Sequence, residues 1–236
     1  KKVPVKISFG GYDRKLIQRI LLVGFTPFII IAVDNVMIIS MNSVLQTYGG
    51  PGEGDMLITC ATIVQSFMLV ITMPLGGITG GTQTILAFNY GAGQPDRVKK
   101  AQRFIFFLSA GYTTILFILA QTAGHIFVRL FTSDPALIAE AAKTIKIYTL
   151  AVIPLSIQYV IVDGFTGLGK VQLSLPLSFF RKLVYFLPLF LLPRFFGARA
   201  TFYAEPISDI IAPVVSIFIY AVAMKRILKK PVIPNF

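Results

Sequence analysis

The sequence predicts an all-α integral membrane protein, a bundle of six transmembrane helices. Of its 236 residues, 55% are hydrophobic and only 14% are charged, whereas soluble domains carry about a quarter charged residues. The apolar residues fall in blocks of roughly 20, which is long enough for a helix to cross a bilayer core of about 30 Å. Helices are favoured because lipid cannot satisfy exposed backbone polar groups, and the alternating segments typical of a β-barrel do not occur.

The six predicted spans follow one another with short, turn-rich connections. Their bounds are 16–45, 56–93, 104–131, 137–162, 173–192 and 202–224. Together they form a predicted transmembrane lobe over 16–225, preceded by a cytoplasmic linker at 1–15 and followed by a cytoplasmic tail at 226–236. The polar start, which lacks an initiating methionine, is typical of the middle of a longer chain.

The second block is too long for one straight span, and helix-weakening residues interrupt its middle. Proline removes a backbone hydrogen bond, and glycines permit bending or close helix approach. We therefore predict a broken helix with its hinge at Pro74, Gly76, Gly77 and Gly80. Broken helices line substrate sites in many transporters, and the alternative is a kinked helix without ligand contact. Prolines predict further kinks in other spans, at Pro27, Pro154, Pro188 and Pro213.

The basic residues predict the orientation of the bundle. A net charge of +12 would suggest nucleic acid binding in a soluble protein, but here the basic residues lie mostly at the ends of apolar blocks. Of the 22 lysines and arginines, 15 fall on the side of the N-terminus, and two lie near the start of the fifth span. Five fall on the other side: Arg129, Lys143, Lys146, Arg194 and Arg199. This bias predicts cytoplasmic termini in a plasma membrane or inner membrane.

The first span contains an acidic residue, Asp34. It lies about 18 residues into the span, or roughly 27 Å along the helix, which places it from the middle to the outer half of the membrane. A charge at the bilayer centre costs at least about 2.5–3.5 kcal/mol on insertion scales. Asp34 is therefore either an ion- or substrate-binding group or a carboxylate held by hydrogen bonds inside the bundle.

Neutral polar side chains in or beside the spans complete the predicted ion- or substrate-binding set. They are Asn35, Gln65, Gln83, Gln158 and Tyr159. The 21 phenylalanines add aromatic surface, which suits flat, cationic, lipophilic compounds through stacking and cation–π contacts.

Two carboxylates, Glu205 and Asp209, lie four residues apart in the sixth span and share one helix face. At this separation they would either exchange a proton or form an outer rim held by Arg194 or Arg199. The sequence leaves both alternatives open.

Asp163, near the cytoplasmic end of the fourth span, is expected to pair with Arg181 at the start of the fifth. His125 is the only histidine and has no ligand neighbours at metal-site spacing. The sequence contains no nucleophile elbow, Walker or Rossmann pattern. We predict no enzyme activity, no metal site and no cofactor.

Several segments resemble the C-terminal lobe of the multidrug and toxic compound extrusion (MATE) transporters. The runs Pro74-Leu75-Gly76-Gly77, Gly80-Gly81-Thr82-Gln83 and Ala87-Phe88-Asn89-Tyr90-Gly91-Ala92-Gly93 resemble the second helix of that lobe. Arg97-Val98-Lys99-Lys100-Ala101 and the stretch from Gly164 to Lys170 resemble two of its loops. The run Ala204-Glu205-Pro206-Ile207-Ser208-Asp209 resembles the bacterial branch that includes the DNA-damage-inducible transporters.

The resemblance implies the second half of a twelve-helix antiporter whose two six-helix lobes face a central cavity. Such transporters expel cationic drugs in exchange for sodium ions or protons. The implied partners are membrane lipid, a small cationic or lipophilic substrate, and either an N-terminal lobe or a second copy of the chain. In some members an acid on the first helix of this lobe and another on the fourth bind cations. Asp34 lies on the first, and Gln158 and Tyr159 lie on the fourth.

Two rival functions are left open at this stage. A lipid-linked oligosaccharide flippase of the same superfamily would need a cationic cavity for pyrophosphate, and Arg181 and Lys182 are the only candidates. A membrane scaffold that transports nothing would not need Asp34 or a broken helix.

Overall fold

The computed structural model describes residues 13–228, with the side chains at positions 15, 16, 19, 20 and 22–27 left aside. These residues form seven α-helices and one 3-10 helix. In chain order they are α1 (Arg14–Gly49), α2 (Glu53–Gly91), α3 (Pro95–Val128), α4 (Pro135–Tyr148), α5 (Val152–Gly167), α6 (Val171–Phe196), the 3-10 helix (Ala198–Tyr203) and α7 (Ala204–Ile227). Most of the predicted linker and tail, and the side chain of Pro27, lie outside the described residues.

The lengths and composition of the described helices give five candidate membrane spans, or six if one bent helix pair is a single span. Five stretches of the described chain are long and apolar enough to span, including Phe28–Gly49 within α1. The pair α4 and α5, which meet at a 49° bend, meets the same criteria when taken together and is the candidate for the sixth span. The predicted all-α membrane class is confirmed for the described residues.

The predicted break in the second span is wrong, because α2 continues as one α-helix of 39 residues through the Pro74–Gly81 region. Pro74 has no N–H to donate to the carbonyl of Val70, four residues earlier. The hydroxyl of Tyr112 on α3 donates to that same carbonyl over 2.8 Å. A side chain from a neighbouring helix thus satisfies the acceptor that proline leaves open, and the helix does not break.

The break lies instead in the fourth span, between Tyr148 and Val152. Pro154 is the third residue of α5, where a backbone N–H has no partner inside the helix in any case. A continuous helix would bring the ring of Pro154 against the carbonyl of Leu150, and the chain bends there. Pro154 was among the prolines expected to cause kinks, and it lies beside this 49° bend.

Helix α5 lies at the centre of the bundle, packed against α2, α3, α6 and α7. Two of its glycines allow this close approach. A β-carbon at Gly167 would lie 2.9 Å from the Cα of Gln83 on α2, and one at Gly164 would lie 2.5 Å from the side-chain nitrogen of Gln102 on α3. Small residues at such positions let helix backbones approach inside a membrane.

Helix α1 packs against α2, α6 and the 3-10 helix, but within residues 13–228 it makes no packing contact with α5 or α7. A space therefore opens between α1 and the central helix. The core of the bundle contains two clusters of buried apolar side chains. One is centred on Leu45, Leu57, Ile71 and Phe202, and the other, nearer the α2–α3 loop, on Val98, Ile161 and Phe165.

Candidate functional site

A cavity of about 670 Å³ occupies the space between α1, α5 and α6. Its walls combine apolar side chains with hydroxyl and charged groups. The polar lining residues are Asp34, Gln158, Tyr159, Asp163, Thr166, Ser174, Ser178, Arg181 and Lys182. Ionisable groups within a bundle are costly and mark ion or substrate pathways, so this cavity is the candidate site.

Asp34 contributes a carboxylate from α1, and its partner is Lys182 on α6. The ammonium of Lys182 also donates a hydrogen bond of 2.8 Å to the carbonyl oxygen of Ile30, one turn before Asp34. The lysine side chain is only 5% exposed, whereas that of Asp34 is 46% exposed. The cation is therefore buried between helices while the carboxylate remains open to the cavity.

Arg181, the preceding residue of α6, is turned toward α7. Its Nη1 lies 3.1 Å from Oε1 of Glu205 and 2.7 Å from Oδ1 of Asp209. The hydroxyl of Tyr148 at the end of α4 donates to the second oxygen of Glu205 over 3.4 Å. The two carboxylates share a helix face as predicted, but their cation is Arg181 and not Arg194 or Arg199.

The expected pairing of Asp163 with Arg181 is also wrong, because Arg181 is engaged on α7. Asp163 instead accepts hydrogen bonds from two neutral groups of α2. These come from Oγ1 of Thr79, at 2.5 Å, and from Nε2 of Gln83, at 3.0 Å. Asp163 forms no ion pair with any of the side chains that the structure describes. It lines the same cavity as Asp34.

Gln158 and Tyr159 also line the cavity, on the turn of α5 before Asp163. Gln158 is buried, and both polar atoms of its amide have a hydrogen-bond partner. Its Nε2 donates to the carbonyl of Leu177 over 3.2 Å, and its Oε1 accepts from the Ser216 hydroxyl at 2.5 Å. Gln158 thus ties α5 to α6 and α7, while the half-buried ring of Tyr159 supplies aromatic surface to the cavity wall.

Three other residues that were predicted for the site do not line this cavity. The Asn35 amide is exposed and donates to the carbonyl of Ile31 in its own helix. Gln65 lies on α2 with its Nε2 3.7 Å from the sulfur of Met41. Gln83 reaches the site indirectly, through Asp163. The expected hinge residues Pro74, Gly76, Gly77 and Gly80 are not among the lining residues, and no β-carbon added at these glycines would meet an atom within 4 Å.

Two adjacent cations, Arg181 and Lys182, line the cavity but were not among the residues predicted for the ion- or substrate-binding set. Two adjacent cations in the middle of an apolar helix were the available signal, because buried cations require partners. Adjacent helix residues project about 100° apart, so they had to meet carboxylates on different helices. The sequence does not indicate which ones.

The charges around the cavity are unequal. Its charged lining residues among the described side chains are Asp34, Asp163, Arg181 and Lys182. Glu205 and Asp209 lie behind the wall and pair with Arg181, so the group as a whole has four carboxylates and two cations, a formal charge of −2 when all are ionised. No group of three or more His, Cys, Asp or Glu residues in 13–228 has the arrangement of a metal site. The arrangement is suited to a guest that brings positive charge.

Comparison with known proteins is consistent with this architecture. The sequence profile of the MatE family matches residues 30–192. No curated protein matches the chain closely enough to count as a relative.

Solved structures share the fold at low sequence identity. The chain superposes with a TM-score of 0.83 and 15% identity on an outward-facing multidrug resistance MATE family transporter of the MOP superfamily, covering 97% of this chain and 51% of that one. An inward-facing conformation of such a transporter gives a TM-score of 0.81 at 16% identity, with coverage of 93% and 50%. A MOP superfamily transporter from Pyrococcus furiosus, described as having a binding pocket of reverse polarity that suggests a different function, gives 0.81 at 17% identity, with coverage of 93% and 49%. The chain spans about half the length of each.

Proposed function

The chain belongs to the MatE family, and we propose that it is the C-terminal six-helix lobe of a twelve-helix efflux antiporter. In this proposal the whole protein exports cationic or lipophilic compounds in exchange for protons or sodium ions. It would belong to the branch that includes the DNA-damage-inducible transporters. Coverage of about half of each solved transporter supports the assignment of one lobe.

The observation that carries this proposal is the charge of the 670 Å³ cavity. Both of its cations are already neutralised, Lys182 by Asp34 and Arg181 by Glu205 and Asp209. Among the described side chains, Asp163 accepts hydrogen bonds only from the neutral groups of Thr79 and Gln83. Because an uncompensated charge in a membrane interior is costly, the cavity would favour a guest or coupling ion that is positive.

The size and lining of the cavity support an organic guest. Ligand pockets for small molecules commonly measure about 300–1,000 Å³ and combine apolar walls with a few polar groups. The Tyr159 ring and the apolar side chains of Ile30, Val162 and Leu175 would contact a lipophilic cation while Asp163 compensates its charge.

The flippase alternative is less well supported by the same geometry. A pyrophosphate group requires free cations, and neither Arg181 nor Lys182 is free of a carboxylate partner. The Pyrococcus furiosus transporter described with reversed pocket polarity has the same fold, so the fold alone does not decide the sign of the substrate. The residues of the pocket have to be considered directly, and here they favour cations. A scaffold would have no use for such a cavity.

The missing half of the transport pathway would be an N-terminal lobe or a second copy of the chain. Large apolar side chains on α1 are exposed, among them Phe28 and Ile31, and both are close in sequence to Ile30, which lines the cavity. A second lobe facing this side would close the cavity. The lysine and arginine bias supports cytoplasmic termini in a plasma or inner membrane.

A dye-efflux assay on the intact transporter tests the proposal. Cells that express the wild type should accumulate less of a monocationic dye than control cells, and collapse of the proton or sodium gradient should abolish the difference. Asp34→Asn should lose most of this efflux. Asp55→Asn is the matched control, because the Asp55 side chain is exposed at the start of α2 and does not line the cavity. If the wild type shows no efflux that depends on either gradient, the proposal is wrong.

A further inference from the structure

Lys182 presents an unusual arrangement for a cation in a cavity that favours cations. Its ammonium bonds to two groups of α1, the carboxylate of Asp34 and the carbonyl of Ile30. The lysine approaches from inside the bundle, where its side chain is 5% exposed, while the Asp34 side chain is 46% exposed. A guest in the cavity can therefore reach the carboxylate without displacing anything except the lysine.

The neighbouring arginine shows why Lys182 is the exchangeable cation. Arg181 is held by two carboxylates, Glu205 and Asp209, both largely buried. Lys182 has one carboxylate and one carbonyl, and its charge is a compact point on a flexible four-carbon stem. A lysine can withdraw its ammonium and keep the Ile30 contact, whereas removal of Arg181 would leave two buried carboxylates unpaired.

We propose that Lys182 is a specificity-determining residue that acts as a tethered competitor for cations at Asp34. In the empty cavity the Lys182 ammonium is paired with the Asp34 carboxylate. A cationic guest binds Asp34 by displacing that ammonium. This inference rests on the proposed transport of cations through the cavity. It names the internal group against which a cation must compete to bind Asp34.

The competition has a consequence for substrate selection. A tethered group acts at a high effective concentration, because its binding to Asp34 is intramolecular. A small hydrophilic cation offers only its charge and loses this competition. A bulky aromatic cation also contacts the cavity wall, including Tyr159 and Val162, and these contacts offset the loss of the lysine pair.

The alternative is a purely structural ion pair, in which Lys182 only compensates Asp34 within the membrane. The two roles predict opposite effects of removing the lysine charge. A competitor, once neutralised, leaves Asp34 available, and a permanent monocation then binds more tightly. A structural partner, once neutralised, leaves the site disordered, and binding weakens or is unchanged.

The test is equilibrium binding of radiolabelled tetraphenylphosphonium to the purified full-length transporter. Lys182→Met should tighten binding by about tenfold or more, since the ion pair no longer has to be broken. Lys182→Arg retains the charge and should show no such gain. Asp34→Asn should bind weakly, and Lys182→Met added to Asp34→Asn should produce no gain, because the carboxylate under competition is absent.

Lys182→Gln is measured in parallel and keeps a donor for the Ile30 carbonyl. If the thermal unfolding midpoint shows that Lys182→Met does not fold, the binding measured for Lys182→Gln decides the test. Unchanged or weaker binding in the neutral variants, together with loss of binding in Asp34→Asn, would overturn the competitor role and leave the proposed transport of cations intact. If the wild type does not bind the monocation and Asp34→Asn changes nothing, both proposals fail.

Discussion

The guanidinium of Arg181 lies 2.7 Å from the carboxylate of Asp209, across the contact between α6 and α7. The same nitrogen reaches Glu205, which also receives the hydroxyl of Tyr148. One arginine thus joins the bend after α4 to the last two helices of the bundle. The stability of the site is expected to depend on this group more than on any charge at the membrane surface.

Arg181→Met should lower the free energy of unfolding by about 3–5 kcal/mol, because it leaves two buried carboxylates without a cation. Thermal unfolding in detergent measures the change. Adding Glu205→Gln and Asp209→Asn to that variant should restore most of the loss.

The control is Arg199→Met, which breaks contacts between Arg199 and both Glu53 and Glu140. Arg199 is 58% exposed, so the expected loss is about 0–1 kcal/mol. Equal losses in the two arginine variants would contradict the structural importance assigned to Arg181.

Asp163→Asn should weaken binding of a permanent monocation by about tenfold, because it removes the one carboxylate of the cavity that has no cation partner in the described chain. The amide is nearly the same size and can still bond to Thr79 and Gln83, so the fold should be retained. Equilibrium binding to the purified protein measures the change. Asp96→Asn, at an 86% exposed side chain on α3, is the matched control and should bind as the wild type does. A wild-type affinity in Asp163→Asn would mean that this carboxylate does not attract the guest.

Gly167→Ala should destabilise the bundle by about 1–3 kcal/mol, since the added methyl group would lie 2.9 Å from the backbone of Gln83. Gly164→Ala should cost less, because it meets the side chain of Gln102, which can move. Gly111 on α3 has no atom within 4 Å of an added β-carbon, and Gly111→Ala should leave stability unchanged or slightly higher. Thermal unfolding midpoints should therefore rank Gly167→Ala lowest and Gly111→Ala highest.

The proposed orientation can be tested with single cysteines, because Cys60 is the only cysteine and is buried. In a Cys60→Ala background, Ser133→Cys in the α3–α4 loop should react with a membrane-impermeant maleimide added to intact cells. Asp96→Cys, at the start of α3, should react only after the membrane is opened. The reverse labelling pattern would place the termini outside and contradict the charge-based prediction.

The helical spans could be predicted because membrane insertion depends on local composition. An apolar block of sufficient length forms a helix in lipid regardless of its neighbours, since its backbone groups must bond to one another. The location of a break could not be predicted in this way. Pro74 and Pro154 look alike in sequence, but Tyr112 satisfies the carbonyl left open by Pro74, whereas the chain bends just before Pro154.

The site was only partly predictable for a similar reason. Asp34 was identified from its depth in an apolar span, and it does line the cavity. Its partner, Lys182, is 148 residues away in sequence. The positions of Asp163 and Arg181 along their spans predicted that the two would pair. In the structure, the orientation of α6 about its own axis directs Arg181 toward α7 and Lys182 toward α1. The face that a helix turns toward its neighbours depends on packing. Membrane helices have low amphipathicity, so their sequences give little indication of that face.

The sequence by itself determined that this chain crosses a membrane as helices, about where those helices lie, and that Asp34 lies inside one of them. These follow from the cost of exposing backbone and charge to lipid, which each segment meets separately. Only the tertiary structure decided which carboxylate Arg181 and Lys182 each neutralise, and therefore that neither of them pairs with Asp163. The physical reason is that ion pairing requires contact within a few ångströms, and helices distant in sequence reach that contact only when the whole bundle packs.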